Sequence, residues 1–173
     1  MSMPTVKECN FLSREIKANR LYQDAEAHWR KGRLHAAFRL FLAAARAGSG
    51  PALETVANFY DLGVGVKADQ KAALYWYRRA YRHGSNIAAN NIGVIWRDKK
   101  KLSRALLWLR RAVVLGDGDA NLQIAKIYLG NKPDPLKAIH YLERTCRAAN
   151  ATQGSKEEAR ELLKQARKRF HPG

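Results

Sequence analysis

The amino-acid sequence predicts an all-α fold: about four helix-turn-helix repeats followed by a C-terminal capping helix. Three observations carry this expectation. One set of segments superposes, "HAAFRLFLAAARAG" (35–48), "KAALYWYRRAYRHG" (71–84), "SRALLWLRRAVVLG" (103–116) and the more diverged "LKAIHYLERTCRAA" (136–149). A second set lies between them, "PALETVANFY" (51–60), "NIAANNIGVIW" (86–96) and "GDANLQIAKIY" (118–128). Glycines and capping residues fall between the segments, where helices must end and restart.

Within the first set, Ala37, Ala73, Ala105 and Ala138 share a column. Leu40, Trp76, Trp108 and Tyr141 follow three places on, and Ala44, Ala80, Ala112 and Thr145 four beyond that. Offsets of three and four mark one helix face, with a large side chain between small ones that admit a neighbouring helix. The second set repeats this logic: Ala52, Ala88 and Ala120 align, then Val56, Ile92 and Ile124, then Ala57, Gly93 and Ala125, and last the rings Tyr60, Trp96 and Tyr128. The unit lengths differ only in the turns, with 36, 32 and 33 residues separating successive alanines from Ala37 to Ala138.

These patterns divide the chain into an N-terminal, partly helical segment (1–19), units at about 20–48, 51–84, 86–116 and 118–149, and a capping helix (155–170). Gly48, Gly84 and Gly116 are expected to close second helices and Gly63 a first one. Asp69 is expected to cap the helix from Gln70, and Asp134-Pro135 reads as a cap followed by proline at the first helical position. Ser155-Lys156-Glu157-Glu158 reads as a capping box opening the last helix, whose Ala159, Leu162, Leu163, Ala166 and Phe170 form an apolar stripe over the end of the stack.

The run Gly63-x-Gly65-Val66-x-x-Asp69-x-Lys71-Ala72, continued by Tyr75-Trp76-Tyr77-x-Arg79-Ala80, Gly84 and Ala88, resembles the Sel-one-like repeat family, relatives of the tetratricopeptide repeats. The resemblance covers roughly residues 20–149. It implies a right-handed α-solenoid that binds other proteins and has no catalytic residues of its own. The first unit departs by its short tetratricopeptide-like turn. The unit from Asn86 to Gly116 lacks the Gly-x-Gly-Val turn, and the last unit replaces that turn with "GNKPDP".

Enzymatic chemistry finds no support in the residues, and neither a catalytic residue nor a cofactor is expected. Gly63-x-Gly65 is not a dinucleotide loop, because a third glycine and a preceding strand are missing. It is not a P-loop either, lacking Gly-Lys-Ser/Thr at a helix start. His28, His35, His83, His140 and His171 show no metal-site spacing, so no metal is expected. Cys9 and Cys146 are too few and too far apart for a disulfide framework and read as reduced, buried thiols. Trp29, Trp76, Trp96 and Trp108 are expected in the core.

Charge is the remaining signal. Lys and Arg number 32 against 15 acids, a net +17. Ten cations, Arg78, Arg79, Arg82, Arg97, Lys99, Lys100, Lys101, Arg104, Arg110 and Arg111, lie in one stretch with a single acid, Asp98. Such an excess attracts acidic proteins or nucleic acids. The expected basic face consists of these ten residues. A concave groove is expected at Thr55, Asn58, Asp61, Asn91, Val94, Arg97, Gln123 and Lys126, the off-core positions of the first helices. An acidic protein or peptide is the expected partner, with nucleic acid the alternative. The charged N-terminus has no apolar core of a secretory signal, and no run reaches 18 apolar residues, so a cytoplasmic protein is expected.

Overall fold

The computed structural model describes residues 6–130 and 133–170, with side chains described over 12–130 and 133–169. Within them the chain is all-α, with nine helices and no strand. It forms two compact units, Met1–His83 and Gly84–Gly173. Cys9, Phe170, His171 and part of the "GNKPDP" turn lie outside the described side chains.

The first unit contains α1 (Val6–Arg30), α2 (Leu34–Ala47), α3 (Gly50–Leu62) and α4 (Gln70–Arg82), each packed on the next. No glycine or proline interrupts residues 6–30, so the N-terminal segment and the first repeat helix are one helix. Ala25, Ala37, Ala44, Ala52, Val56 and Ala73 are fully buried, as their columns require. Aromatic rings fill the space between these small residues. Phe59 of α3 packs against Phe38 and Phe41 of α2, with ring centroids 5.7 Å apart in each case.

Trp29 departs from expectation. Its ring lies 5.0 Å from that of Phe59 but is 43% exposed, because it sits in the last turn of α1. Cys146 is half-buried rather than buried.

The Gly63-Gly65 loop is built by close backbone approach. Gly63 caps α3 in the left-handed conformation, at φ 69°. Gly65, also left-handed at φ 63°, rests against the start of α2, and the His35 ring nitrogen is 3.1 Å from its carbonyl. Asp69 then restarts the chain, its carboxylate accepting the Lys71 and Ala72 amides at 2.9 and 3.1 Å.

The second unit contains α5 (Asn86–Asp98), α6 (Leu102–Val114), α7 (Asp119–Tyr128), α8 (Pro135–Arg147) and α9 (Gln153–Phe170). Its buried columns are Ala88, Ile92, Ala105, Leu109, Ala112, Ile124, Ala138 and Leu142. Thr145, where other units carry alanine, is buried with its hydroxyl donating to the Tyr141 carbonyl at 3.0 Å. Helix α9 packs its Ala159, Leu162 and Leu163 onto Leu122, Ala125 and Leu142 of α7 and α8.

The capping box expected at Ser155 is not what opens α9. The helix starts two residues earlier, and the Thr152 hydroxyl accepts the Ser155 amide at 3.3 Å. Thr152 takes this role because Asp119 holds it, accepting its amide at 2.8 Å and its hydroxyl at 3.2 Å. Glu158 is then free to pair with Lys126 at 2.7 Å.

One turn feature recurs across sequence motifs that differ. The carbonyls of the ring column, Tyr60, Trp96 and Tyr128, accept the amides of Asp69, Lys101 and Asp134 at 2.8 to 2.9 Å. Ser49, Ser85 and Asp117 occupy equivalent places and cap α3, α5 and α7 through the Ala52, Ala88 and Ala120 amides. The carbonyl-to-amide bonds of Tyr60, Trp96 and Tyr128 thus close turns of eight, four and five intervening residues.

Candidate partner-binding surfaces

The basic residues have one repeated local geometry. The arginine three places after the ring column lies over that ring: Arg79 is 4.8 Å from the Trp76 centroid and Arg111 is 4.6 Å from that of Trp108. Arg144 repeats the relation more loosely over Tyr141, at 5.9 Å. Spacing of i to i+3 on a helix makes this contact local, and an arginine cation is attracted to the ring face.

In the first unit Arg78 and Arg82 are exposed, the Arg82 Nε donating to the Arg78 carbonyl, and Arg79 is half-buried over its tryptophan. In the second unit the α5–α6 turn displays Lys99, Lys100 and Lys101 in solvent. Lys100 has a left-handed backbone at φ 58°. Lys99 and Arg104 both approach the half-buried Trp96, at 5.9 and 4.8 Å. Arg110 is exposed and donates to the Tyr128 hydroxyl at 3.3 Å. Hydrogen bonding to the Tyr141 hydroxyl, seconded by Tyr128, holds its guanidinium pKa above the ordinary value. Arg97 differs from the rest: it is half-buried, bonded to Asp98 at 2.9 to 3.0 Å and to the Gln123 side chain.

Tryptophan geometry bears on the choice of partner. Trp76 is buried as expected, whereas Trp96 and Trp108, also expected in the core, are only half-buried because they lie at the helix surface beneath Arg104 and Arg111; an arginine covers a face of each of the three rings. Base stacking needs an open ring face.

The eight expected groove positions are all half-buried. Several are engaged within the chain. The Tyr77 hydroxyl donates to Asn58 Oδ1 at 2.6 Å and approaches Asp61 at 3.4 Å. Gln123 takes Arg97, Lys126 pairs with Glu158, and Thr55 donates to the Pro51 carbonyl at 3.1 Å. Asn91 also has an interaction of its own, while Val94 contributes only apolar surface.

Thr55 further borders a feature that sequence reasoning missed, a cavity of about 200 Å³ lined by Tyr22, Trp29, Phe41 and Phe59 with Glu26 and Arg30 at its edge. Burial, then the Glu26 carboxylate, raise the Tyr22 phenol above its usual pKa. The spacing of Tyr22, Glu26 and Trp29, four and three apart on α1, was the available signal. Among the described residues no group of His, Cys, Asp and Glu could hold a metal ion, and no helix is long and apolar enough to cross a membrane.

Known proteins place this geometry. The Sel1 repeat family model matches residues 34–49, 52–85, 88–117 and 118–150. A protective antigen of uropathogenic Escherichia coli displaying an SLR fold superposes with a TM-score of 0.75 at 17% identity, over 88% of this chain and 34% of the other. A Sel1 repeat protein from Oxalobacter formigenes superposes with a TM-score of 0.58 at 23% identity, over 76% of this chain and 64% of the other. The chain thus spans about a third of the first and less than two thirds of the second. Among curated proteins none matches the sequence significantly. Sel1 repeat proteins generally mediate protein–protein interactions, and the fold is typically a non-enzymatic scaffold. With the repeat model matching more than half of its residues, the chain belongs to the Sel1 repeat family.

Proposed function

We propose that the chain is a non-enzymatic adaptor that holds an acidic segment of a partner protein against its exposed basic residues. The observation that carries this reading is the seating of Arg79 and Arg104 over tryptophan rings. A guanidinium stacked by its face keeps its in-plane N–H fork for a carboxylate, and stacking limits the side-chain freedom lost on binding. The Lys99–Lys101 turn adds charge that accelerates encounter and makes affinity fall with salt. The free thiol of Cys146 suits a reducing, cytoplasmic compartment.

The test is fluorescence anisotropy with a labelled acidic peptide and a single-stranded RNA of equal charge, each titrated at several salt concentrations. The adaptor reading expects peptide binding that weakens with salt and is lost on charge reversal at Arg104 and Arg111, and separately at Arg78 and Arg79. Tighter binding of the RNA, with a steep logarithmic salt slope, would overturn it in favour of a nucleic-acid partner.

A further inference from the structure

The residue after the aligned alanine of each first helix is Leu53, Ala89 and then Asn121. All three are buried: Leu53 and Ala89 completely, Asn121 with 4% exposure. The fourth unit therefore places an amide where the second and third place hydrocarbon. Its Nδ2 donates to the Gly118 carbonyl at 3.3 Å, and its Oδ1 has no partner among the described residues. A buried acceptor without a donor destabilises the fold, so an apolar residue here would serve stability better.

Asn121 lines a cavity of about 310 Å³ at the start of α7, bordered by Asp117, Asn150 and the C-terminal end of α8 with Arg144 and Arg147. That volume lies at the small end of ligand pockets, about 300 to 1,000 Å³. The walls are fixed before any ligand arrives. A Cβ on Gly118 would lie 2.6 Å from the Ala151 amide nitrogen, and Asn150 Nδ2 donates to the Gly116 carbonyl. Asp119 secures the far side through Thr152.

The charges are unevenly committed. Asp117 spends its carboxylate on the Asp119 and Ala120 amides, at 2.9 and 3.1 Å. Glu143 is shared between Arg147 at 3.2 Å and Arg167 at 3.0 Å. Arg144 is exposed and forms no ion pair among the described residues. The rim thus holds Arg144, outside any ion pair among the described residues, beside Arg147, which is paired with Glu143, and the lone Asn121 acceptor lies buried behind the wall.

We propose that this cavity is a second binding site, in which Arg144, joined by Arg147, takes a carboxylate of an acidic protein segment while the Asn121 side chain turns its buried Oδ1 outward to accept a backbone N–H of the same segment. A phosphodiester group satisfies the arginines but brings no donor of its own for Asn121, so in RNA the donor would have to come from a 2′-hydroxyl or a base. The ligand class rests on the adaptor reading above; the site itself does not, since none of the ten residues of the basic face lines it.

The test uses the full chain labelled with ¹⁵N, an acetylated hexaglutamate peptide, and a single-stranded RNA hexamer as the contrasting arm. Peptide is expected to shift the Asn121 side-chain amide resonances. Asn121→Leu is expected to raise the melting temperature and weaken the peptide about tenfold at this site, the loss expected from one buried hydrogen bond. Arg144→Gln, at an exposed position, is expected to weaken it similarly with no change in melting temperature. Asn121 resonances that stay in place at saturating peptide, unchanged affinity in both variants, or a shift produced by RNA alone would each overturn the proposal. Loss of peptide binding in the Arg104 and Arg111 reversals with the Asn121 shift preserved would separate the two sites. If those reversals leave all binding intact and the Asn121 shift persists, the adaptor reading of the basic face fails and this site stands.

Discussion

Gly65 stands so close to Leu34 that a Cβ added to the glycine would lie 2.6 Å from both the carbonyl carbon and oxygen of the leucine. The contact is backbone to backbone, so neither partner can yield by rotating a side chain. It explains why the loop carries glycine at a second position as well as at the α3 cap. Gly65→Ala combines this clash with a left-handed φ that costs an L-residue about 1 to 2 kcal/mol. With displacement of packed backbone, the total destabilisation is expected on the order of 3 kcal/mol. Urea unfolding followed by circular dichroism measures it. A loss below about 1 kcal/mol would show that the loop moves away from α2 at little cost.

Tyr77 provides a second check, on the meaning of the groove positions. Its hydroxyl joins α4 to α3 through Asn58 at 2.6 Å, and the tyrosine is 1% exposed. Tyr77→Phe removes this part-buried hydrogen bond, at an expected cost of about 1 kcal/mol. If Asn58 serves chiefly this bond, Asn58→Ala lowers stability by a similar amount and leaves acidic-peptide affinity unchanged. Paired thermal melts and anisotropy titrations separate the roles; weakened peptide binding at unchanged stability would return Asn58 to the groove.

How far the sequence could be read follows from the range of each interaction. Columns such as Ala73, Trp76 and Ala80 are local, repeating at three and four residues, and their burial was legible. Asp69 and Asp134 were legible for the same reason, each acting on amides two or three residues away. The start of α9 was misplaced because Thr152 is held by Asp119, 33 residues distant, and no local motif encodes that contact. The exposure of Trp29 depends on the position of its column at the end of α1, which the ring type alone does not reveal. The groove positions were found by geometry, but their ties to Tyr77, Arg97 and Glu158 belong to neighbouring helices. Asn121 stood visible as a polar residue in an apolar column; only packing shows that a cavity adjoins it.

Asp117 predicts a pH dependence. Burial, the largest influence, raises its carboxyl pKa above 3.8, against the lowering by hydrogen bonds from the Ala120 and Asp119 amides. A raised folded pKa means that the acid form is favoured by folding. The stability it contributes is complete below the unfolded pKa and is lost as pH rises through the folded one. Asp117→Asn retains a capping oxygen but cannot ionise. The variant is therefore expected to gain on the parent as pH climbs from about 3 to 7, whereas Asp117→Ala, lacking the cap, should lose about 1 kcal/mol. Denaturant midpoints across that range measure both. A gap between Asn and Asp that stays constant with pH would show that burial does not penalise the carboxylate.

Gly93 and Leu109 make the sharpest packing prediction, because helix propensity and packing oppose each other there. Gly93 lies inside α5 in the column filled by Ala57 and Ala125 elsewhere, so Gly93→Ala should gain about 1 kcal/mol of helix propensity. A Cβ there would nevertheless meet the Leu109 side chain at 2.6 and 2.7 Å, and Leu109 is fully buried. Overpacking of this kind costs about 1 to 3 kcal/mol, so the single change is expected to destabilise or break even. Leu109→Ala alone opens a cavity and should cost about 2 to 5 kcal/mol. Combining them lets the new methyl enter the space the leucine leaves and restores the propensity gain. The double variant should then be more stable than the sum of the single changes by about 1 kcal/mol or more. A double-mutant cycle in urea measures that coupling, and additivity within about 0.3 kcal/mol would mean that α5 and α6 accommodate the methyl by sliding apart.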